Sequence, residues 1–79
     1  MQLSFKEAIA DYTKAIEIDP GFAEAYLNRG LAHWLQGHQA EAERDFDRCL
    51  KLNSDLKPLL EERVREMKRR LDAKQPGPR

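Results

Sequence analysis

Residues 23–56 read AEAYLNRGLAHWLQGHQAEAERDFDRCLKLNSDL. Two apolar stripes with three- and four-residue spacing lie in this stretch on either side of Gly37, and that period marks a pair of amphipathic helices. The first, over about residues 22–36, carries Tyr26, Leu27, Gly30, Leu31, His33, Trp34 and Leu35. Gly37 ends it, because glycine takes the left-handed backbone of a helix C-terminal cap without steric cost. The second, over about 39–52, presents Ala42, Phe46, Cys49 and Leu50 and stops at Asn53, Ser54 and Asp55. Ser54 or Asp55 is suited to cap the helix that follows.

The chain N-terminal to this pair repeats its second half. A shift of 34 residues carries Glu7, Ala8 and Asp11 onto Glu41, Ala42 and Asp45, and Tyr12, Lys14, Ile16, Ile18 and Asp19 onto Phe46, Arg48, Leu50, Leu52 and Asn53. Residue size is preserved along with polarity, which is the mark of stacked helical repeats. A helix over about 4–18 therefore precedes the pair, with Phe5, Ala8, Ile9, Tyr12, Ala15 and Ile16 on one face, and Pro20-Gly21 stops it. On the C-terminal side a fourth helix is predicted over 56–73. Pro58 falls in its first turn, where no intrahelical amide partner is lost. Its apolar stripe is Leu56, Leu59, Leu60, Val64, Met67 and Leu71. Glu61 and Glu66 precede Arg65 and Arg70 by four residues, a spacing that modestly supports an exposed face. Residues 74–79, with Pro76, Gly77 and Pro78, are predicted to be a disordered tail. The expected architecture is all-α: one domain over residues 1–73 built of four helices.

The pattern resembles the tetratricopeptide repeat, a family of antiparallel helix pairs stacked into a right-handed superhelix. Tyr26, Gly30, His33, Ala42, Phe46 and Cys49 occupy the slots where that family places large, small, aromatic, small, aromatic and small residues. Ala8, Tyr12, Ala15 and Pro20 match the second helix of a preceding unit, so the resemblance implies about one and a half repeats. Departures are His33 at an aromatic slot, Cys49 where alanine is usual, and Ser54 in place of the inter-repeat proline. Gly30 and Ala42 allow two backbones to approach, while Tyr12 and Phe46 fill the space between pairs. The shift carries Gly30 onto Val64 and His33 onto Met67, so the fourth helix starts like a further repeat yet lacks the small residue that would admit a partner. It is read as the capping helix that repeat arrays need.

The resemblance implies a protein-interaction role, with ligand-facing positions at Glu24, Leu27, Asn28, Leu31, Trp34 and Leu35. That surface is apolar for a groove, and such patches mark interfaces. Of the Lys, Asn and Arg set with which some members hold chaperone C-termini, only Asn28 stands at a matching position. The first helix lacks the helix that should precede it in its own pair. Phe5, Ile9, Tyr12 and Ile16 are therefore expected to be covered by upstream residues or by another chain, which makes a homo-oligomer the alternative function.

Composition bounds the remaining possibilities. Lys and Arg number 14, balanced by 14 Asp and Glu, and the zero net charge argues against a dedicated nucleic-acid binder. The charge is polar along the chain: residues 1–60 hold 7 basic and 10 acidic side chains, and residues 61–79 hold 7 and 4, giving −3 and +3. Arg63, Arg65, Lys68, Arg69 and Arg70 form a basic run, but Glu61, Glu62 and Glu66 dilute it. A mean hydropathy of −0.80, with no long apolar window, predicts no membrane span. One cysteine and no recognisable secretory leader point to a cytoplasmic setting. His33 and His38, five apart across Gly37, are not expected to bring their imidazoles together. No metal site, cofactor or catalytic residue is expected, since phosphate loops, nucleophile elbows and paired-carboxylate motifs are all missing from the sequence.

Overall fold

The computed structural model describes residues 4–74, with side chains placed as far as Arg70. Its helices are α1 Phe5–Ile18, α2 Ala23–Leu35, α3 Gln39–Leu52 and α4 Lys57–Lys74, with a 3-10 turn at Ser54–Leu56. The first three fall within about a residue of expectation. α4 extends to Lys74, so that residue is helical where a tail was expected; residues 75–79 lie outside the described residues, and the side chain of Leu71 is likewise not described.

Each boundary has a local cause. Ser4 caps α1 through a capping box: the Glu7 amide donates to Ser4 Oγ at 3.1 Å, and the Glu7 side chain accepts from the Ser4 backbone. This pairing satisfies amides that the first turn leaves without partners. After α1 the Gly21 amide donates to Asp19 Oδ1 at 3.1 Å, tightening the turn. α2 ends on Gly37 at φ +86°, with His38 N donating to the His33 carbonyl and Gly37 N to that of Trp34, both at 2.9 Å. That pair of bonds is the Schellman closure. The residue that caps the 3-10 turn is Asn53, whose Oδ1 accepts from the Asp55 amide at 3.1 Å. Asn53 can do so because it has already left the helical backbone, at φ −153°.

α2 is the centre of the molecule, packed on one side by α1 and on the other by α3. At the α2–α3 contact a methyl group on Gly30 would lie 2.6 and 2.8 Å from the Phe46 ring and 3.2 Å from the Ala42 carbonyl oxygen. Only hydrogen fits there. Around this point Tyr26, Leu27, Ala42, Phe46, Cys49 and Leu60 form the core, with Ala42 and Cys49 fully buried. Burial pushes the Cys49 thiol pKa up, with Glu24 a lesser cause, so the thiol is held neutral.

One polar cluster ties three helices. Arg29 of α2 makes a bidentate pair with Asp45 of α3, Nε to Oδ2 at 2.9 Å and Nη2 to Oδ1 at 2.8 Å, and its Nη1 donates to Thr13 Oγ1 of α1 at 3.3 Å. The guanidinium also stands 5.5 Å from the centre of the Tyr26 ring. Its hydrogen bond to Asp45 raises the Arg29 pKa further against the opposing effect of burial. With Asp45 only 5% exposed, the carboxylate needs this fork to offset its lost hydration.

Two stability measurements follow. Gly30→Val should lower unfolding free energy by about 2 kcal/mol in urea titration, overpacking outweighing the better helix propensity, and the loss should shrink in a Phe46→Leu background. Asp45→Ala, which leaves Arg29 without its counter-charge, should cost about 2 kcal/mol or more, whereas Thr13→Val should cost less than about 1 kcal/mol.

Candidate functional site

The six positions expected to face a ligand do not share one environment. Glu24 and Asn28 are exposed, Leu35 is 38% exposed, and Leu31 and Trp34 are half-buried against the core. Leu27, at 3% exposure, is a core residue and is removed from the expected contact set. It belongs to the same buried cluster as Tyr26, Phe46 and Leu60.

Trp34 sits at the edge of a cleft that α2 and α3 form with α4. Its ring lies 6.3 Å from that of Phe46, tilted by 34°, and Lys68 Nζ stands 5.7 Å from the indole centre. Leu60 and Val64 of α4 supply the opposite wall, with Glu61, Arg65 and Lys68 at the rim, around a volume of about 400 Å³. α4 thus lies beside Trp34 and lines a shallow, open cleft with it. Phe46, Leu60, Val64 and Lys68 were absent from the expected ligand set. A signal for part of this existed, since the 34-residue shift carries Gly30 onto Val64 and Trp34 onto Lys68.

On the opposite side of the molecule Phe5 is 44% exposed, while Ile9, Tyr12 and Ile16 are half-buried. Ile16 packs toward the core, so the four residues do not form one open surface. Ile18 at 77% and Leu52 at 38%, equivalent under the repeat shift, and Phe22 at 42% are further exposed apolar side chains that the sequence reading did not single out.

The histidines differ from expectation as well. The turn closed at Gly37 brings the rings of His33 and His38 to 6.1 Å between centres. His33 Nε2 is 3.9 Å from Asp45 Oδ2, and its Nδ1 has no hydrogen-bond partner. Among the described residues no group of three or more His, Cys, Asp or Glu side chains is arranged to hold a metal ion, and no helix is long and apolar enough to cross a membrane.

Comparison with known families matches residues 4–37 to the TPR repeat and residues 23–56 to the tetratricopeptide repeat. The chain belongs to the tetratricopeptide-repeat family. The two overlapping matches take α2 once with the helix before it and once with the helix after it, in keeping with its central place in the packing. This tetratricopeptide-repeat chain is 49% identical over 55 residues to Hsc70-interacting protein 1 of Drosophila melanogaster, covering 70% of the chain and 15% of that protein. It is 46% identical over 48 residues to DnaJ homolog subfamily C member 3 of Rattus norvegicus, covering 61% of the chain and 10% of that protein. Serine/threonine-protein phosphatase T of Aspergillus oryzae shares 49% identity over 39 residues, 49% of the chain and 8% of the phosphatase. The chain thus spans a sixth or less of the length of these relatives. No solved structure matches. The repeats and the relatives that carry them identify a protein-interaction module.

The division between core and surface on α2 is directly measurable. Leu27→Ala should cost about 3 kcal/mol of stability by chemical denaturation, whereas Leu35→Ala should change it by no more than about 0.5 kcal/mol.

Proposed function

We propose that this module holds a segment of a partner protein in the cleft between Trp34 and Phe46 on one side and Leu60 and Val64 on the other. The observation that carries the proposal is a half-buried tryptophan beside an apolar cleft with cationic side chains at its rim. Tryptophan is enriched among residues that dominate binding energy, because it offers a large rigid contact area at small entropic cost. The partner segment that suits this chemistry is an amphipathic helix or short peptide with an apolar anchor for the cleft and a carboxylate for Lys68 or Arg65. Leu31, Leu35, Asn28 and Glu24 extend the contact along α2. The role is non-enzymatic and needs no cofactor, membrane or nucleic acid, and a buried free thiol at Cys49 suits a cytoplasmic setting.

The names of the Drosophila and rat relatives, an Hsc70-interacting protein and a DnaJ homolog, direct the search toward chaperone-associated partners. Asn28 alone matches the chaperone-tail set, so the proposal rests on the apolar anchor rather than on capture of a C-terminal carboxylate. Self-association through Phe5, Ile9, Tyr12 and Ile16 is the alternative, supported by the exposure of Phe5. Sedimentation equilibrium separates the two, since a concentration-independent monomer rules out the oligomer.

Trp34 is the only tryptophan, so its emission reports on the cleft without labelling. Titration with amphipathic peptides carrying Leu and Glu should shift that emission saturably. Trp34→Ala, followed by peptide anisotropy, should weaken binding about tenfold or more with helicity retained, equivalent to about 1.4 kcal/mol. Lys68→Glu should weaken the same peptides and remove most of the salt dependence. Emission and affinity that stay constant through all of these changes would reject the cleft as the binding site.

A further inference from the structure

Two junctions of the chain share one backbone conformation. Asp19 follows α1 at φ −136° and ψ 90°, and Asn53 follows α3 at φ −153° and ψ 93°. Each side chain reaches the amide two residues on: Asp19 Oδ1 accepts from Gly21 and Asn53 Oδ1 from Asp55, both at 3.1 Å. The 34-residue shift places Asp19-Pro20-Gly21 on Asn53-Ser54-Asp55. The chemistry of the two differs. The first is a carboxylate followed by a residue with no amide N–H, and the second is a carboxamide followed by a residue that has one.

Asparagine is among the thermally labile residues of proteins. It reacts when the backbone nitrogen of the next residue closes a five-membered ring on its Cγ, and three features at Asn53 serve that closure. Asn53, Ser54 and Asp55 are all exposed, so water and hydroxide reach them. Among the described residues the Ser54 amide has no hydrogen-bond acceptor to hold its proton. The Asp55 amide already donates to Oδ1, the oxygen on which negative charge collects when Cγ becomes tetrahedral. Asn28, the other asparagine, is exposed as well, but the amide that follows it lies inside α2 and is committed to helical hydrogen bonding.

We propose that Asn53 is a site of spontaneous deamidation, at which the Ser54 amide nitrogen displaces ammonia to give a succinimide that opens to aspartate or isoaspartate. Hydroxide takes the Ser54 amide proton, and the nitrogen forms a bond to Asn53 Cγ. The Cγ–Nδ2 bond breaks, and Nδ2 leaves as ammonia with a proton from water, which restores the hydroxide. Water then opens the ring. Attack at Cγ gives aspartate, whereas attack at the backbone carbonyl gives isoaspartate, with the chain running on through Cγ. One water is consumed and one ammonia released, and nothing is oxidised or reduced.

The two products act differently on the fold. Aspartate keeps an oxygen for the Asp55 amide and adds a negative charge ahead of the turn. Isoaspartate inserts an extra methylene into the backbone between α3 and α4. Since α4 carries Leu60 into the core and lines the cleft beside Trp34, the longer link displaces that wall, whatever the cleft binds.

The test incubates the full 79-residue chain at neutral pH and follows it by peptide-mapping mass spectrometry. Oxygen should replace NH at Asn53 and not at Asn28, and isoaspartyl methyltransferase should label the same position. Ser54→Pro should abolish the reaction, and Pro20 at the equivalent junction shows that the backbone tolerates it. Ser54→Gly, which clears the attacking nitrogen, should accelerate it. The isoaspartyl fraction should show a shifted Trp34 emission, whereas Asn53→Asp should keep the emission of the fresh chain. The proposal is overturned by an Asn53 that reacts in urea but not in the folded chain, by equal reaction at Asn28, or by reaction that persists in Ser54→Pro, which would mean direct hydrolysis. An unshifted emission from the isoaspartyl fraction would overturn the effect on α4.

Discussion

The approach of α2 to α3 at Gly30 sets the geometry of everything else in the chain. Phe46 fills the space that a side chain at Gly30 would need, and the Ala42 carbonyl stands just beyond it. Helices brought this close bury the small residues between them completely, as Ala42 and Cys49 are buried. The same approach puts Arg29, the neighbour of Gly30, within bidentate reach of Asp45, and sets Trp34, one turn further along α2, against the Phe46 ring. A single absent side chain thus underlies the core, the ion pair and one wall of the cleft.

Arg29 converts that pairwise contact into a three-helix one. Hydrophobic packing is non-directional and tolerates sliding between helices, whereas a guanidinium shared by Asp45 and Thr13 fixes the register of α1 and α3 relative to α2. This matters in a chain of 79 residues, where a small core leaves little net stability to spare.

α2 packs on both α1 and α3, and α4 joins this core through Leu60. At the C-terminal end Val64 takes the position of Gly30 in the repeat, and α4 lines a cleft together with Trp34 and Phe46. This interaction module of the tetratricopeptide-repeat family carries, beside Trp34, a cleft of apolar character with a cationic rim.

The sequence by itself determined the four helices, their ends at Pro20, Gly37 and Asn53, and the close contact at Gly30, because periodicity, breakers and residue size act locally or through the repeat. The 34-residue shift also equates Asp11 with Asp45 and Trp34 with Lys68, although what each of these contacts is set by the packing. Tertiary structure alone decided which of the α2 positions are buried and which are exposed. Leu27 and Leu35 are the same residue type on the same helix, and nothing local distinguishes them; one is buried in the core cluster, and the other, the last residue of α2, is 38% exposed.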